Sequence, residues 1–209
     1  MKELGEDPQL GCGRALWENN GELNNYGTTM SLMLLPHWTN GCIGSMEGLN
    51  FEASGTTAYH FIAAAAMSKQ SSNPVRELRY DDNNAGLGVR YLQELGVRYY
   101  MAFTAEAIDQ ANMQAALVKV AQSGPWSIYK VAESELVVPM KVQPVVAVNK
   151  QSDPKERWLE IGTSWFQHPE DWAATPVESG PDSWQTVDVV VDLNRRQGEP
   201  KDPSRRVDI

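Results

Sequence analysis

The 209-residue sequence predicts an α/β or α+β domain, with a mixed sheet, flanking helices and a β-meander, followed by an irregular C-terminal tail. Two observations predict this class. Apolar residues recur at helical spacing over residues 84–96, and a strand-like run of aromatic and apolar residues follows directly over residues 97–103. A series of short strand-like segments with turn residues between them comes next. A helix that leads into a strand and then into a meander is typical of a sheet with helices packed on it. It disfavours a helical bundle.

The first 73 residues predict alternating elements around a long loop. The expected order is a short N-terminal helix, a strand at "GRALWE", a polar turn-rich segment, a strand at "TTMSLMLLPHW", a glycine-rich loop and a helix over residues 58–69. The helix prediction rests on four consecutive alanines, which have the highest helix propensity. Hydroxyl side chains before it are candidate caps for its first turn: Ser54, Thr56 and Thr57.

Residues 74–149 show the clearest rhythm. Apolar residues spaced three and four apart define one face of a helix that Gly96 closes: Leu87, Tyr91, Leu92 and Leu95. "VRYYMAF" is predicted to be an interior strand, paired with "WSIYKVA" or with "GRALWE". A helix at "TAEAIDQANMQ" and a strand pair turning at Ser123-Gly124 follow. One or two further strands are expected over "LVVPMKVQPVVAVN", where the prolines favour an edge position.

The regular succession of helix and strand patterns ends near residue 150, and this defines the predicted domains. Residues 1–149 are expected to form the α/β domain, and residues 150–209 an irregular linker or the truncated start of a further β-rich segment. In this second part tryptophans stand among charges and prolines. "WQTVDVVVDL" indicates a strand, but residues 194–209 carry no apolar face and predict a linker.

Composition excludes one class of partner and bears on the compartment. A formal net charge of −9 and a pI near 4.8 leave no stripe of Lys and Arg long enough to neutralise several phosphates, so nucleic acid is not an expected partner. The chain has no run of about 18 to 20 apolar residues that would span a membrane. The N-terminus lacks the apolar stretch of a secretory signal, so the chain is either cytoplasmic or a piece of something longer.

Two cysteines, Cys12 and Cys42, leave two alternatives open. Each stands beside glycine, without a CxxC pair or a histidine at zinc-finger spacing. They are either two small buried thiols or a disulfide. A disulfide would place the domain outside the cytoplasm and would close a loop worth about 3 to 4 kcal/mol.

Four segments, taken in order, carry a resemblance to a known family: "GCGRALWENN", "LMLLPHWTNGCIGSMEGLNFEASGTTAYHF", "YLQELGVRYYMAF" and "SGPWSIYKVAESELVVPM". Together they resemble the extracytoplasmic region of large actinobacterial polytopic membrane proteins of the YfhO-like family. These proteins are also described as 6-pyruvoyl-tetrahydropterin-synthase-related and are akin to GT-C membrane glycosyltransferases. The resemblance covers about residues 3 to 148, and "LGVRYYM" followed by "WSIYKV" is its most specific part.

The resemblance implies a location and partners. It places the chain on the extracytoplasmic face of the cell membrane, attached to a transmembrane part of the same protein. The catalytic aspartate of GT-C enzymes lies on an early loop of that part, so no catalytic residue is expected here. The implied donor for the full-length protein is a polyprenyl-phosphate sugar, and this chain itself is expected to hold no cofactor. In this location a disulfide between Cys12 and Cys42 is expected.

The glycine-punctuated segment Leu34–Phe61 holds the candidate binding residues. Glu47 and Glu52 are spaced so that a loop could place them as acid and base around a sugar. Trp38 could stack on a sugar face, and His60 could titrate or donate to a ligand. The alternative for each is a structural role. Trp38, Glu47, Glu52 and His60 are nevertheless expected to converge on a concave surface. The three histidines show no tight ligand spacing, so a metal site is not expected.

The predicted function is therefore that of a soluble extracytoplasmic domain that positions or binds a cell-envelope glycan acceptor for a membrane glycosyltransferase-like protein. One alternative is a secreted glycan-processing hydrolase that uses Glu47 and Glu52. Another is a purely structural domain. The sequence carries no nucleophile elbow, P-loop or dinucleotide fingerprint, which disfavours catalysis by this chain alone.

Overall fold

The structure is a computed structural model that describes residues 1–48, 55–74, 78–148 and 154–189. The chain divides into two compact units. The first comprises Met1–Pro74 and Tyr80–Val138, and the second comprises Val75–Arg79 and Pro139–Ile209. Both units combine helices with strands, which confirms the predicted α/β class. In the described part of the chain, no helix combines the length and the apolarity that crossing a bilayer requires.

A mixed five-stranded sheet forms the centre of the first unit. Its strands are β1 (Gly13–Trp17), β2 (Ile43–Ser45), β3 (Val97–Ala102), β4 (Leu117–Ser123) and β5 (Trp126–Val131). Their spatial order is β2-β1-β3-β5-β4. The β1 strand is parallel to β2 and β3, whereas β5 is antiparallel to β3 and β4. The sheet is therefore parallel on one side and a meander on the other.

Helices cover both faces of this sheet. They are α1 (Lys2–Glu6), α2 (Leu35–Trp38), α3 (Thr57–Ala66), α4 (Ala85–Glu94) and α5 (Ala105–Asn112), with 3-10 turns at Gly21–Tyr26 and Ser31–Leu34. Because strand side chains alternate, β1 sends Leu16 to one apolar cluster and Ala15 and Trp17 to another. The first cluster packs under α4 and α5, and the second under α1, α2 and the 3-10 turns.

The prediction that "VRYYMAF" is an interior strand is confirmed. The β3 strand pairs with β1 through Tyr100 and Leu16, and with β5 through Tyr100 and Tyr129. It thus has both of the partners that the sequence proposed as alternatives. Five of its six residues are buried, because helices cover the sheet on both faces.

The elements flanking β3 also agree with the sequence. The side chain of Asn84 accepts a hydrogen bond from the Leu87 amide and so caps α4. Two residues beyond that helix, Gly96 has φ +59°, a left-handed conformation that glycine adopts without a Cβ clash. The predicted β4–β5 hairpin is formed, but it turns at Gly124-Pro125, one residue later than expected, since Ser123 pairs with Trp126.

The strand predicted at "TTMSLMLLPHW" is wrong. Residues 31–34 form a 3-10 turn and residues 35–38 form α2. Pro36 lies in the first turn of α2, where its missing N–H costs no helical hydrogen bond. Leu35 is buried whereas its neighbour Leu34 is exposed, and Leu32 and Met33 pack on the sheet. The buried residues of this segment lie on one side of a helical turn, whereas a half-buried strand would bury every second residue. This pattern of burial explains why the segment is helical.

The second unit is built on a short parallel sheet of β6 (Val145–Val148), β7 (Pro176–Val177) and β8 (Thr186–Asp188), in the order β7-β6-β8. The helix α6 (Pro154–Gln167) belongs to this unit. The core of the unit joins Ala147, Ile161 and Val189, with Trp158 packed against it. The predicted boundary at residues 149–150 falls inside this unit, since β6 pairs with strands that follow residue 150.

The part predicted as an irregular tail is thus more regular than its composition indicates. Tryptophan supplies the missing apolar surface there. The Trp165 and Trp172 rings lie 5.8 Å apart between centroids, and their indole N–H groups donate to Ala174 O and Trp165 O. Of the one or two strands expected over residues 136–149, one is formed, at Val145–Val148. The predicted edge position is wrong, because this strand is the central one of its sheet and both prolines, Pro139 and Pro144, precede it. The linker predicted over residues 194–209 lies outside the described residues.

Alkaline pH is expected to destabilise the chain through Tyr100. This side chain is fully buried, and its hydroxyl donates to Met67 O. Burial, and then the charge of Glu18, raise its pKa well above the usual 10.0. Its contribution to stability is complete below the unfolded-state pKa, near 10, and is lost as the pH rises towards the higher folded-state pKa. The free energy of unfolding should fall by up to about 1.4 kcal/mol for each pH unit above about 10.

Urea denaturation at about pH 9 and pH 11 tests this expectation. A Tyr100→Phe variant should lose less stability over this interval than the parent chain, because it lacks the titrating hydroxyl. Tyr26→Phe is the matched control, since Tyr26 is exposed. If the free energy of unfolding falls equally between pH 9 and pH 11 in the parent chain and in Tyr100→Phe, the Tyr100 hydroxyl does not cause the loss of stability.

Candidate functional site

A cleft of about 430 Å³ opens on the first unit, beside the parallel side of the sheet. It lies where β1, the end of β2, the N-terminal turn of α3 and the residue after α4 meet. Its lining combines hydrogen-bonding and apolar side chains: Arg14, Ser45, Met46, Thr56, Thr57, His60 and Leu95. Volumes of about 300 to 1,000 Å³ are usual for small-ligand sites.

Arg14 is the charged group of the cleft. Its position in β1 places it on the same face of the sheet as Leu16, towards α4. One guanidinium N–H donates to Leu95 O at 2.9 Å, and the same nitrogen lies 3.8 Å from the Met46 sulfur. Among the described residues, no carboxylate lies within ion-pair distance of Arg14. The guanidinium charge is therefore balanced only by a hydrogen bond to a neutral carbonyl. The remaining guanidinium N–H groups can donate to a ligand.

His60, which lines the cleft, forms a buried pair with Glu47, which does not line it. Glu47 Oε1 lies 2.9 Å from His60 Nε2, and both side chains are at most 6% exposed. One hydrogen bond joins this carboxylate oxygen to the ring nitrogen. The contact fixes the imidazole ring on α3 and ties the end of the β2 segment to that helix.

Ser45 is held by a local turn instead of by this histidine. Its hydroxyl donates to Glu47 O, and the Glu47 amide donates back to Ser45 Oγ at 3.1 Å. A nucleophilic serine needs its hydroxyl directed at a base. Ser45, Glu47 and His60 therefore stabilise the cleft wall and do not form a nucleophile–base pair. The serine hydroxyl lies at the surface of the cleft.

The four predicted glycan-binding residues have different positions in the structure. His60 lines the cleft, and Glu47 contacts it from behind without lining it. Trp38 is on α2, half exposed, and is not part of the cleft lining. Glu52 lies outside the described residues, as does the candidate cap Ser54. The structure thus brings together Glu47 and His60, but it does not bring Trp38 to them.

Cys12 and Cys42 are joined by a disulfide, with their Cα atoms 4.7 Å apart. Each precedes a strand, so the bond links the N-terminal ends of β1 and β2, which also share a hydrogen bond from the Gly13 amide to Cys42 O. A Cβ atom on Gly5 would lie 2.5 Å from Cys42 Sγ, so α1 packs on the bond only because that residue is glycine. The bond fixes the β2 side of the cleft.

Glu18 was missed by the sequence predictions. It directly follows β1 and is fully buried. Its carboxylate accepts hydrogen bonds from the Phe103 and Thr104 amides, the Thr104 hydroxyl and, at 3.3 Å, the Lys69 amide. The available signal was an acidic residue at the carboxyl end of a buried parallel strand, where ligand-binding groups often lie. Here the carboxylate is satisfied by the protein itself and joins β1 to the start of α5.

The described residues hold no group of three or more His, Cys, Asp and Glu side chains arranged to bind a metal ion. Comparison of the chain with protein-family models, with curated proteins and with solved structures finds no match.

Proposed function

We propose that this chain is the extracytoplasmic domain of a GT-C glycosyltransferase-like membrane protein, and that it binds or positions a cell-envelope glycan acceptor. The catalytic centre and the site for a polyprenyl-phosphate sugar donor belong to the transmembrane part of the same protein. The observation that carries the proposal is the composition of the cleft. Hydroxyl groups and a guanidinium face one space, beside two apolar side chains.

This lining matches the chemistry of a sugar. A pyranose or furanose presents hydroxyl groups around its edge. These can accept from Arg14, and the Ser45 oxygen, whose proton is directed at Glu47 O, can accept from one of them, while Thr57 lines the same space. Its C–H groups are apolar and suit Met46 and Leu95. A site with a few directed polar groups on an apolar wall is typical of small-ligand binding.

The disulfide supports the location. Disulfides persist in oxidising compartments and are rare in a reducing cytoplasm. The bond between Cys12 and Cys42 therefore favours exposure of this domain on the outer side of the membrane. The resemblance to the extracytoplasmic region of YfhO-like proteins favours the same side.

Glycan binding by the 209-residue chain tests the proposal. Cell-envelope oligosaccharides, first on an array and then in calorimetric titration, should bind saturably. Arg14→Gln removes the charged donors, and Thr57→Val removes a hydroxyl while keeping the shape. Arg14→Gln should weaken binding about tenfold or more, since a hydrogen bond to a charged group is worth about 1.5 to 3 kcal/mol. Thr57→Val should weaken it about two- to tenfold, since a hydrogen bond between neutral groups is worth about 0.5 to 1.5 kcal/mol.

The matched control is Trp38→Ala, which removes an exposed aromatic ring outside the cleft and should leave glycan affinity unchanged. Melting temperatures identify any variant that fails to fold. The proposal fails if no envelope glycan binds the parent chain. It also fails if Arg14→Gln and Thr57→Val both fold and bind like the parent.

A further inference from the structure

Four large apolar side chains are exposed at four-residue intervals on the first unit: Tyr26 (62%), Met30 (43%), Leu34 (51%) and Trp38 (50%). We refer to these four residues as the apolar stripe. They occupy the two 3-10 turns, the short connection between them and α2. Exposed large apolar groups that lie together mark interaction surfaces.

The stripe is separate from the apolar side chains of the same segment that build the core. Leu23 and Leu35 are buried, and Leu32 and Met33 pack on the sheet. Leu34 and Trp38 are one turn apart in the continuous helical stretch of residues 31–38, so they lie on the same side of it. The segment therefore directs one set of apolar groups inward and a second set outward.

The sequence around the stripe is free of charge. None of the 18 Lys and Arg or 27 Asp and Glu residues of the chain lies between Leu23 and Met46. A surface that enters an apolar phase must not carry charges with it, because taking an unpaired charge out of water is costly. The segment of residues 23–46, which holds the four side chains, meets this condition in a chain whose net charge is −9, and the nearest charge along the chain is Glu22, in the same turn as Tyr26.

We propose that the apolar stripe docks on the surface of a neutral lipid bilayer. Trp and Tyr favour the membrane–water interface because their rings have an apolar body and a polar edge, and Leu and Met supply apolar area that enters the acyl region. The negative net charge of the chain disfavours binding to anionic headgroups. Because the segment that holds the stripe is uncharged, apolar contact alone can bind it to a neutral bilayer. The stripe acts independently of the cleft, so this inference does not require glycan binding.

Vesicle flotation with the full 209-residue chain tests this inference. Phosphatidylcholine vesicles should carry the chain upward, and the bound fraction should not fall when salt is raised, because apolar contact is not screened. Leu34→Glu and Trp38→Glu should each reduce the partition coefficient about tenfold or more, since each removes apolar area and adds a charge. Met113→Glu should bind like the parent, because Met113 is exposed but lies outside the stripe.

Three outcomes would overturn the inference. In the first, the parent chain does not float with neutral vesicles. In the second, Leu34→Glu and Trp38→Glu both float as well as the parent. In the third, light scattering shows a dimer that Leu34→Glu dissociates while no chain binds vesicles, so a second copy is the occupant. Glycan titration of Trp38→Glu separates the two proposals, since its affinity for glycan should stay at the parent value whichever result flotation gives.

Discussion

Replacing Glu18 with alanine is expected to lower the free energy of unfolding by about 4 kcal/mol or more. The carboxylate is fully buried and satisfies three backbone amides and one hydroxyl. Alanine would leave these donors in an apolar interior without an acceptor, and each unsatisfied group costs about 1 to 3 kcal/mol. Domains are stable by only about 5 to 15 kcal/mol, so the variant should be at the edge of unfolding.

Urea denaturation of the variant and the parent chain measures this effect. Glu22→Ala is the matched control, because Glu22 is an exposed acid only four residues along the chain and should change stability by less than about 0.5 kcal/mol. Glu18→Gln should fall between the two, since its amide keeps one acceptor oxygen but directs N–H groups towards other donors. A Glu18→Ala variant as stable as the parent would mean that the donors find water or other acceptors.

The sequence predicted the elements that depend on short patterns. The α4 helix, the left-handed Gly96 after it and the strand β3 follow from periodicity and from glycine within about twenty residues. The β4–β5 hairpin follows from two apolar runs around Gly124, which has φ +54°. In each case the local preference and the tertiary packing agree.

The segment of residues 28–38 shows where such patterns fail. A short apolar run is compatible with a buried strand or with a helical turn, and periodicity alone cannot separate them. The decisive factor is tertiary. Leu35 and its neighbours are buried against the sheet on one side, while Leu34 and Trp38 face outward on the other.

The candidate site was predictable only in part. Glu47 and His60 are thirteen residues apart, and the sequence placed both in one loop region. Arg14 reaches the cleft through a bond to Leu95, which is 81 residues away, so nothing in the local sequence marks it. A single arginine in an apolar strand has no local signature of binding. Its role depends on which segments the sheet order brings beside it.

Removal of the disulfide is expected to cost about 3 to 4 kcal/mol of the free energy of unfolding. Cys12 and Cys42 are separated by 30 positions, and a cross-link over a loop of this length restricts the unfolded chain strongly. A Cys12→Ala, Cys42→Ala double variant should therefore unfold at lower urea concentration than the oxidised parent. Reductant should destabilise the parent to a similar level and leave the double variant unchanged.

Titration of free thiols tests the compartment in which the chain folds. Chain exported to an oxidising compartment should contain no titratable thiol, whereas chain kept in a reducing cytoplasm should contain two, because the cytoplasm keeps thiols reduced. The bond links the N-terminal ends of the two strands that contribute Arg14 and Ser45 to the cleft, so glycan affinity should also fall in the double variant as β2 loses its tether. Two titratable thiols in the exported chain would remove the disulfide as support for an extracytoplasmic location. This result would leave the cleft chemistry as the only structural support for the proposed function.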